Sequence, residues 1–291
     1  MKEPLVSILI STYGQVDYTK RCLHSLEATI PKEIQSEILV IDDCSDDETP
    51  EFLKKLDPKI RTFYNQERKG FAINNNLLAS RAKGKFLCFL NNDVFLKENW
   101  LEPMLAAFQE FENAGIVGNV QRLADQANYD HMGVVFSPEG NPRHFGQSFS
   151  YRPFKGQVKK WSAVTGACCL IRRDYFLEIG GFDEIFLNGC EDVDLCLRIA
   201  MDGKDCLVAH DSVVEHVKSA SSGRKRFNEK NFKILNQRWG EQIRKNQSFT
   251  DQHLHAWTYF YRGLVKPWSI NFSKWIQSAF ILSRLKKLGE F

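Results

Sequence analysis

Three groups of residues in this chain have types and spacings that could do chemistry. The first is Asn91-Asn92-Asp93, which ends the apolar run Phe86–Leu90 and is followed by Val94 and Phe95. Asn and Asp accept turn geometry and bond their own backbone, so a plain turn is one reading. The other is a carboxylate facing a ligand. The second group is "NGCEDVDLCLR", in which a helix beginning near Glu191 puts Asp192 in its first turn, where the helix dipole favours an anion. Asp194 and Arg198 are four apart and pair on one helix face. Asp192 has no evident partner, so it is either a helix-start acid or a general base. The third is His216 in "SVVEHVKS": an ordinary packed histidine, or an imidazole ligand to a divalent metal.

Something must position these groups. "LVSILIST", "SEILVIDD", "IRTFYN" and "KFLCFL" read as strands. They alternate with "DYTKRCLHSLEAT", a helix behind an expected Asp17 cap, "TPEFLKKL", with Thr49 as expected N-cap, and "FAINNNLLASRA". Such alternation predicts a parallel sheet with helices on its faces. Beyond it, "NWLEPMLAAFQEF" reads as a helix and "AGIVGNVQRL" as a strand. Residues 125–160 read as irregular, and "SAVTGACCLIRR" as a strand. "DYFLEIGGF" and "EDVDLCLRIAMDG" read as helices, and "CLVAHDSVVEHV" as a late strand. From about Arg224 the chain turns helical, basic and aromatic.

Ligands of open α/β sheets bind beyond the carboxyl ends of the strands. Four such ends carry polar groups here: Ser11-Thr12-Tyr13, Asp42-Asp43, Asn65 and Asn91-Asn92-Asp93. No G-x-G-x-x-G follows the first strand and no G-x-x-x-x-G-K-[ST] occurs, so dinucleotide and P-loop folds are disfavoured. A diphosphate bound without such a cradle needs another countercharge, and a cation on a carboxylate supplies one. Asp93 is the natural ligand, and its amide neighbours keep the site from being over-charged.

Composition bounds the rest. The 291 residues are 43% apolar and 26% charged, with net charge +3. This describes a globular chain whose overall field does not argue for nucleic acid. Eight cysteines show no C-x-x-C pair, so zinc spacing is absent and reduced thiols in a cytoplasmic protein are expected. "MKEPLVSILIST" starts a strand at once, without the apolar region and cleavage site of an export signal.

In order along the chain, "VSILISTYG", "VIDDCSDDET", "GFAINNN", "FLNNDVF", "VTGACCLIRR", "IGGFDE" and "EDVDLCLR" resemble the inverting glycosyltransferases of family 2. The resemblance covers roughly residues 4–220. It is closest to the bacterial branch that builds surface polysaccharides, rhamnosyl- and galactofuranosyltransferase-like members included. It implies an α/β GT-A fold over 1–223, with a donor half to about 122 and an acceptor half from about 123, followed by a helical extension over 224–291. It also implies transfer of a sugar from a UDP- or dTDP-sugar to a hydroxyl of a glycan or lipid-linked acceptor, with Mn²⁺ or Mg²⁺. Asp93 matches the metal-binding end of the D-x-D motif, and Asn91 replaces its first aspartate. His216 matches a histidine that completes metal binding in several relatives, and Asp192 matches the base. Thr12, Tyr13 and Asp43, with the neighbouring Asp42, match the pocket for the nucleotide base. Asn76, Asn92 and Gly166 are expected in the donor site. Asn76 departs from the pattern in having Leu78, not glycine, two residues on.

Three other functions fit the residues less well. A nucleotidyltransferase would show a Gly-rich, Arg-containing loop where "STYGQVDY" stands. A non-catalytic sugar-binding module and a partner-dependent subunit share the same motifs. For the tail, "SKWIQSAFILSRLKKL" reads as an amphipathic helix. It would pack on the catalytic domain or a second subunit, or lie on the inner face of the cell membrane.

Overall fold

The computed structural model describes residues 5–124, 126–217, 227–246 and 249–283. The expected alternation is present as β1 (Val6–Thr12), α1 (Val16–Thr29), β2 (Ser36–Asp42), α2 (Thr49–Leu53), β3 (Ile60–Tyr64), α3 (Phe71–Arg81) and β4 (Phe86–Asn91). There follow β5 (Val94–Phe95), α4 (Glu102–Glu110), β6 (Ala114–Leu123), β7 (Tyr129–His131), β8 (Val134–Phe136), β9 (Pro142–His144), β10 (Val158–Trp161) and β11 (Cys168–Arg172). The chain continues through α5 (Arg173–Glu178), α6 (Glu191–Met201), β12 (Asp205–His216), α7 (Asn228–Asn246), α8 (Phe249–Val265) and α9 (Phe272–Leu282).

The central sheet runs β10-β12-β6-β11-β4-β1-β2-β3, with β5 and β7 added on β12 and β6. It is mostly parallel: β1, β2, β3, β4, β6 and β12 point one way, and β10 and β11 run against them. Alternation along each strand makes two cores. Leu9, Leu39, Leu87 and Phe89 face α3, α5 and α6 through Leu78, Phe176 and Leu195. Ile8, Ile10, Val40 and Cys88 face α1 and α4 through Cys22, Leu26 and Met104. Full burial contributes roughly 1.5–3 kcal/mol for each such side chain. Phe89, which packs edge-on against Phe182 and tilted against Phe176, is a residue whose truncation would open both contacts.

Several local expectations need correction. The first helix is not capped by Asp17. Its N-terminus is held by Asp47, whose Oδ2 accepts from Val16 N–H at 3.2 Å while Oδ1 accepts from Thr49 N–H at 2.9 Å. One carboxylate thus satisfies the starts of α1 and α2, and Thr49 is the first helical residue of α2 with Glu48 as its N-cap. Helix α4 begins at Glu102 and not at Asn99, with Pro103 in its first turn and Trp100 and Leu101 buried ahead of it. The stretch 125–160 contains the short strands β7, β8 and β9 and the start of β10. Only Cys168–Arg172 of "SAVTGACCLIRR" is strand.

Helix α7 packs Leu235 and Ile243 against Val193 and Leu197 of α6, and α8 sets Leu254 and Tyr261 on the first core. The expected boundary at 223/224 lies outside the described residues. All eight cysteines are free, and among them only Cys44 is exposed. Among the described residues no helix is long and apolar enough to cross a membrane.

Candidate functional site

The end of β4 is fixed from both sides. Asn91 N–H donates to Ala167 O at 2.8 Å, and beyond the Asn92-Asp93 turn β5 pairs antiparallel with β12, with Val94 opposite His216. That register brings the last residue of β12 to the turn: His216 Nε2 stands 3.3 Å from Asp93 Oδ1. The two are 8% and 7% exposed. Asp93 Oδ1 and His216 Nδ1 have no hydrogen-bond partner. A buried carboxylate oxygen without a donor is costly unless a cation meets it. The pair fits a divalent metal on this ground. Among the described residues no group of three or more His, Cys, Asp or Glu forms a complete set, so further ligands would come from oxygens of a bound molecule or water.

Asn92 does not share this role. Its amide donates to Thr12 Oγ1 and Thr19 Oγ1, each at 3.0 Å, and the two hydroxyls bond one another at 2.9 Å. This triangle clamps the end of β1 to α1 and to the Asn92-Asp93 turn, so Thr12 is buried and engaged within the protein. Tyr13, the next residue, is 37% exposed, and the Arg68 guanidinium lies 3.8 Å from its ring centroid. Asp43 is buried and accepts from Lys69 N–H, Asn65 Nδ2 and Gly70 N–H at 2.7, 2.9 and 2.9 Å. It draws the loop between β3 and α3 onto the sheet edge. Asp42 accepts from the hydroxyl and backbone amide of Ser45, and burial, reinforced by Asp43 and Asp47, raises its carboxyl above the usual range. Asn65 also donates to Asn74, which donates on to Ser11, so three strand ends share one hydrogen-bonded row.

Asp192, the second residue of α6, is half-buried, and it is not without partners as the sequence suggests. Its Oδ2 accepts from Gly166 N–H at 2.9 Å and its Oδ1 from Val193 N–H at 2.8 Å. Gly166 sits at a close approach: a Cβ there would lie 3.3 Å from both Asp192 Cβ and Phe71 Cζ. Gly166 precedes Ala167, whose carbonyl holds Asn91, so the backbone of two consecutive residues links the Asp93 turn to Asp192. Asp194 is fully buried and bonds Arg198 Nε at 2.9 Å, as expected. It also takes Arg238 Nη1 and Trp239 Nε1, both at 2.8 Å, and so locks α6 to α7.

Asn76 faces another partner. Its Nδ2 donates to Phe182 O at 2.9 Å and to Glu184 Oε1 at 3.2 Å, and its Oδ1 accepts from Phe182 N–H at 2.9 Å. The amide ties α3 to the segment after α5, and Gly181 gives it room, since a Cβ there would lie 2.6 Å from Asn76 Oδ1. The sequence reading missed Arg68 and Asn188. Asn188 Oδ1 accepts from Phe71 N–H at 3.1 Å and so joins the loop before α6 to the N-terminus of α3. The cations of "QERKGF", between a strand end and a helix start, were the available signal for Arg68.

Residues 7–180 match the family described as Glycosyl transferase family 2. The chain is 29% identical over 226 residues to the O-antigen biosynthesis protein RfbC of Myxococcus xanthus, covering 75% of this chain and 18% of that protein. It is 28% identical over 242 residues to the inactive polypeptide N-acetylgalactosaminyltransferase-like protein 5 of Mus musculus, covering 78% and 56%. The chain thus spans less than two thirds of either relative. The crystal structure of GalNAc-T7 with UDP, GalNAc and Mn²⁺ superposes with a TM-score of 0.68 at 20% identity, covering 88% of this chain and 52% of that one. The fold is therefore the expected GT-A arrangement, and by the match over 7–180 the chain belongs to glycosyl transferase family 2.

Proposed function

We propose that the protein transfers a sugar, with inversion, from a nucleotide-diphosphate donor to a hydroxyl of a glycan or lipid-linked acceptor in surface polysaccharide biosynthesis. The observation that carries this reading is the buried Asp93–His216 pair, unsatisfied at Asp93 Oδ1 and His216 Nδ1, on the strand edge linked through Ala167 and Gly166 to Asp192. Asp93 and His216 would hold a Mn²⁺ or Mg²⁺ ion, which when bound supplies countercharge to a diphosphate leaving group.

The chain's own groups do the rest. Asp192 is fixed by the two backbone amides, and the remaining lone pairs of its carboxylate are free to accept the proton of an acceptor hydroxyl. The attacking oxygen then bonds the anomeric carbon as the bond to the diphosphate oxygen breaks. One displacement needs no covalent sugar on the protein and inverts the anomeric centre. Tyr13, stacked by Arg68, offers a ring face at the end of β1 for the base of a UDP or dTDP donor. The donor half is read as residues to about 122 and the acceptor half as those from about 123 to 223.

The similarity to a relative named inactive favours one alternative, a sugar-nucleotide-binding protein without turnover. Incubation with UDP- and dTDP-sugars, Mn²⁺ and glycan acceptors, followed by NMR of the product, separates the two. Transfer with the opposite anomeric configuration is expected. Retained configuration overturns the mechanism, and donor binding without nucleotide release favours the alternative.

A further inference from the structure

Helix α9 turns part of its apolar surface outward. On its inner side Trp275 stacks on Phe260 of α8 with ring centroids 5.0 Å apart and donates its Nε1 to Phe260 O at 3.0 Å. Ser278 and Ile281 follow it into the contact. Gly263 of α8 makes this approach possible, since a Cβ there would lie 2.1 Å from Trp275 Cδ1. With that side committed, Phe272, Ile276 and Phe280, at i, i+4 and i+8, form a stripe on the exposed side. Leu264, Val265 and Trp268, at the corner between α8 and α9, extend it. Trp268 is 81% exposed and Phe272 68%.

The segment that carries this surface is basic. Residues 252–283 contain Arg262, Lys266 and Lys274 and no Asp or Glu, in a protein whose totals are 39 basic and 36 acidic residues. Arg262 is engaged internally, by Ser269 and Gln147, and Glu139 from the loop after β8 reaches Lys274 at 3.4 Å. Lys266 has no acid within residues 252–283 to meet. A second copy pressed on the same face would bring like charges together. An anionic bilayer meets both features: indole and phenyl groups enter the headgroup boundary while Lys and Arg meet lipid phosphate.

From this we infer that the α8–α9 corner is a docking surface for an anionic membrane. The corner is joined to the sheet through Arg262, Gln147 and Asp130 of β7, the strand beside β6. Docking there would hold the acceptor side of the protein near the lipid surface. The inference stands independently of the catalytic reading.

The test is flotation of the full-length protein with vesicles of phosphatidylcholine alone or mixed with phosphatidylglycerol, at low and high salt. Binding is expected only to the mixed vesicles, weaker at high salt. Trp268→Ser with Phe272→Ser should lower it at least about tenfold, and Lys266→Glu should lower it without removing apolar surface. Donor binding by titration should match wild type in every variant, which separates this result from any failure of the catalytic reading. No binding to the mixed vesicles at low salt, wild-type binding by the double variant, or a dimer in light scattering that the double variant abolishes would overturn the inference.

Discussion

The backbone amide of Gly166 donates to Asp192 Oδ2 at 2.9 Å, across 26 residues of sequence. The bond fixes where the Asp192 carboxylate in the first turn of α6 points. If Asp192 is the base, Asp192→Asn removes proton acceptance at nearly the same volume, and its Nδ2 takes the place of one of the two oxygens that accept from Gly166 and Val193 N–H. Its kcat should fall by about 10²–10⁴-fold with donor affinity nearly unchanged. A fall of less than tenfold in steady-state assays would move the role elsewhere, with Glu191 the next residue to test.

Gly166→Ala tests positioning instead of chemistry. The added Cβ would sit 3.3 Å from Asp192 Cβ and Phe71 Cζ, so the mouth of α6 must shift by a few tenths of an ångström. The expectation is a drop of about tenfold in kcat with KM for donor little changed and melting within a few degrees of wild type. Equal losses in kcat and thermal stability would make Gly166 a packing residue only.

Asn76→Ala addresses an expected donor-site residue that is engaged with the segment after α5. Its amide makes three hydrogen bonds with Phe182 and Glu184. Removing them leaves the Phe182 amide and carbonyl without these partners and should cost about 1–3 kcal/mol in urea unfolding, with nucleotide affinity unchanged. Weaker nucleotide binding at unchanged stability would return Asn76 to the donor site.

Acid should destabilise the fold through buried histidines. Burial against Phe154 and Trp161, with Lys159 and Arg152 adding repulsion and Asp211 opposing it, lowers His210 from the ordinary 6.5 to about 4. Burial and Arg143 lower His255 likewise, against Glu139. Both folded values lie below the unfolded one, so as pH falls from about 6.5 towards 4 the unfolded chain takes up protons that the native protein refuses. Stability is full above this window and is lost through it, by roughly 1–3 kcal/mol per histidine. Urea unfolding at pH 7.5 and 4.5 should show the loss, and His210→Leu should reduce it. A pH dependence identical in the variant would contradict the assignment.

Local patterns made β1 to β4, β6 and β12, α3, α6 and the Asp194–Arg198 pair legible in the sequence, because each is set by periods of two or of three to four residues, whereas the short strands β5 and β7 to β10 were not. Asp93 was legible because a carboxylate ending an apolar strand stands out against its neighbours. The partners of Asp192 and Asn76, and the capping of α1 by Asp47, were not. Each joins residues far apart in the chain, 26, 106 and 31 positions respectively. The tail illustrates the same limit. Its amphipathic period was visible, but which aromatic turns inward depends on Gly263 and Phe260 of another helix.

The reading as a whole rests on Asp93 and His216 binding metal together with a nucleotide diphosphate. Calorimetric titration of UDP and dTDP into wild type, Asp93→Ala and His216→Ala, each with and without Mn²⁺, tests it directly. Wild type should bind at least about tenfold more tightly with Mn²⁺, Asp93→Ala should lose that gain entirely, and His216→Ala should lose part of it. Equal affinity in wild type with and without Mn²⁺, or an undiminished metal effect in Asp93→Ala, would contradict it.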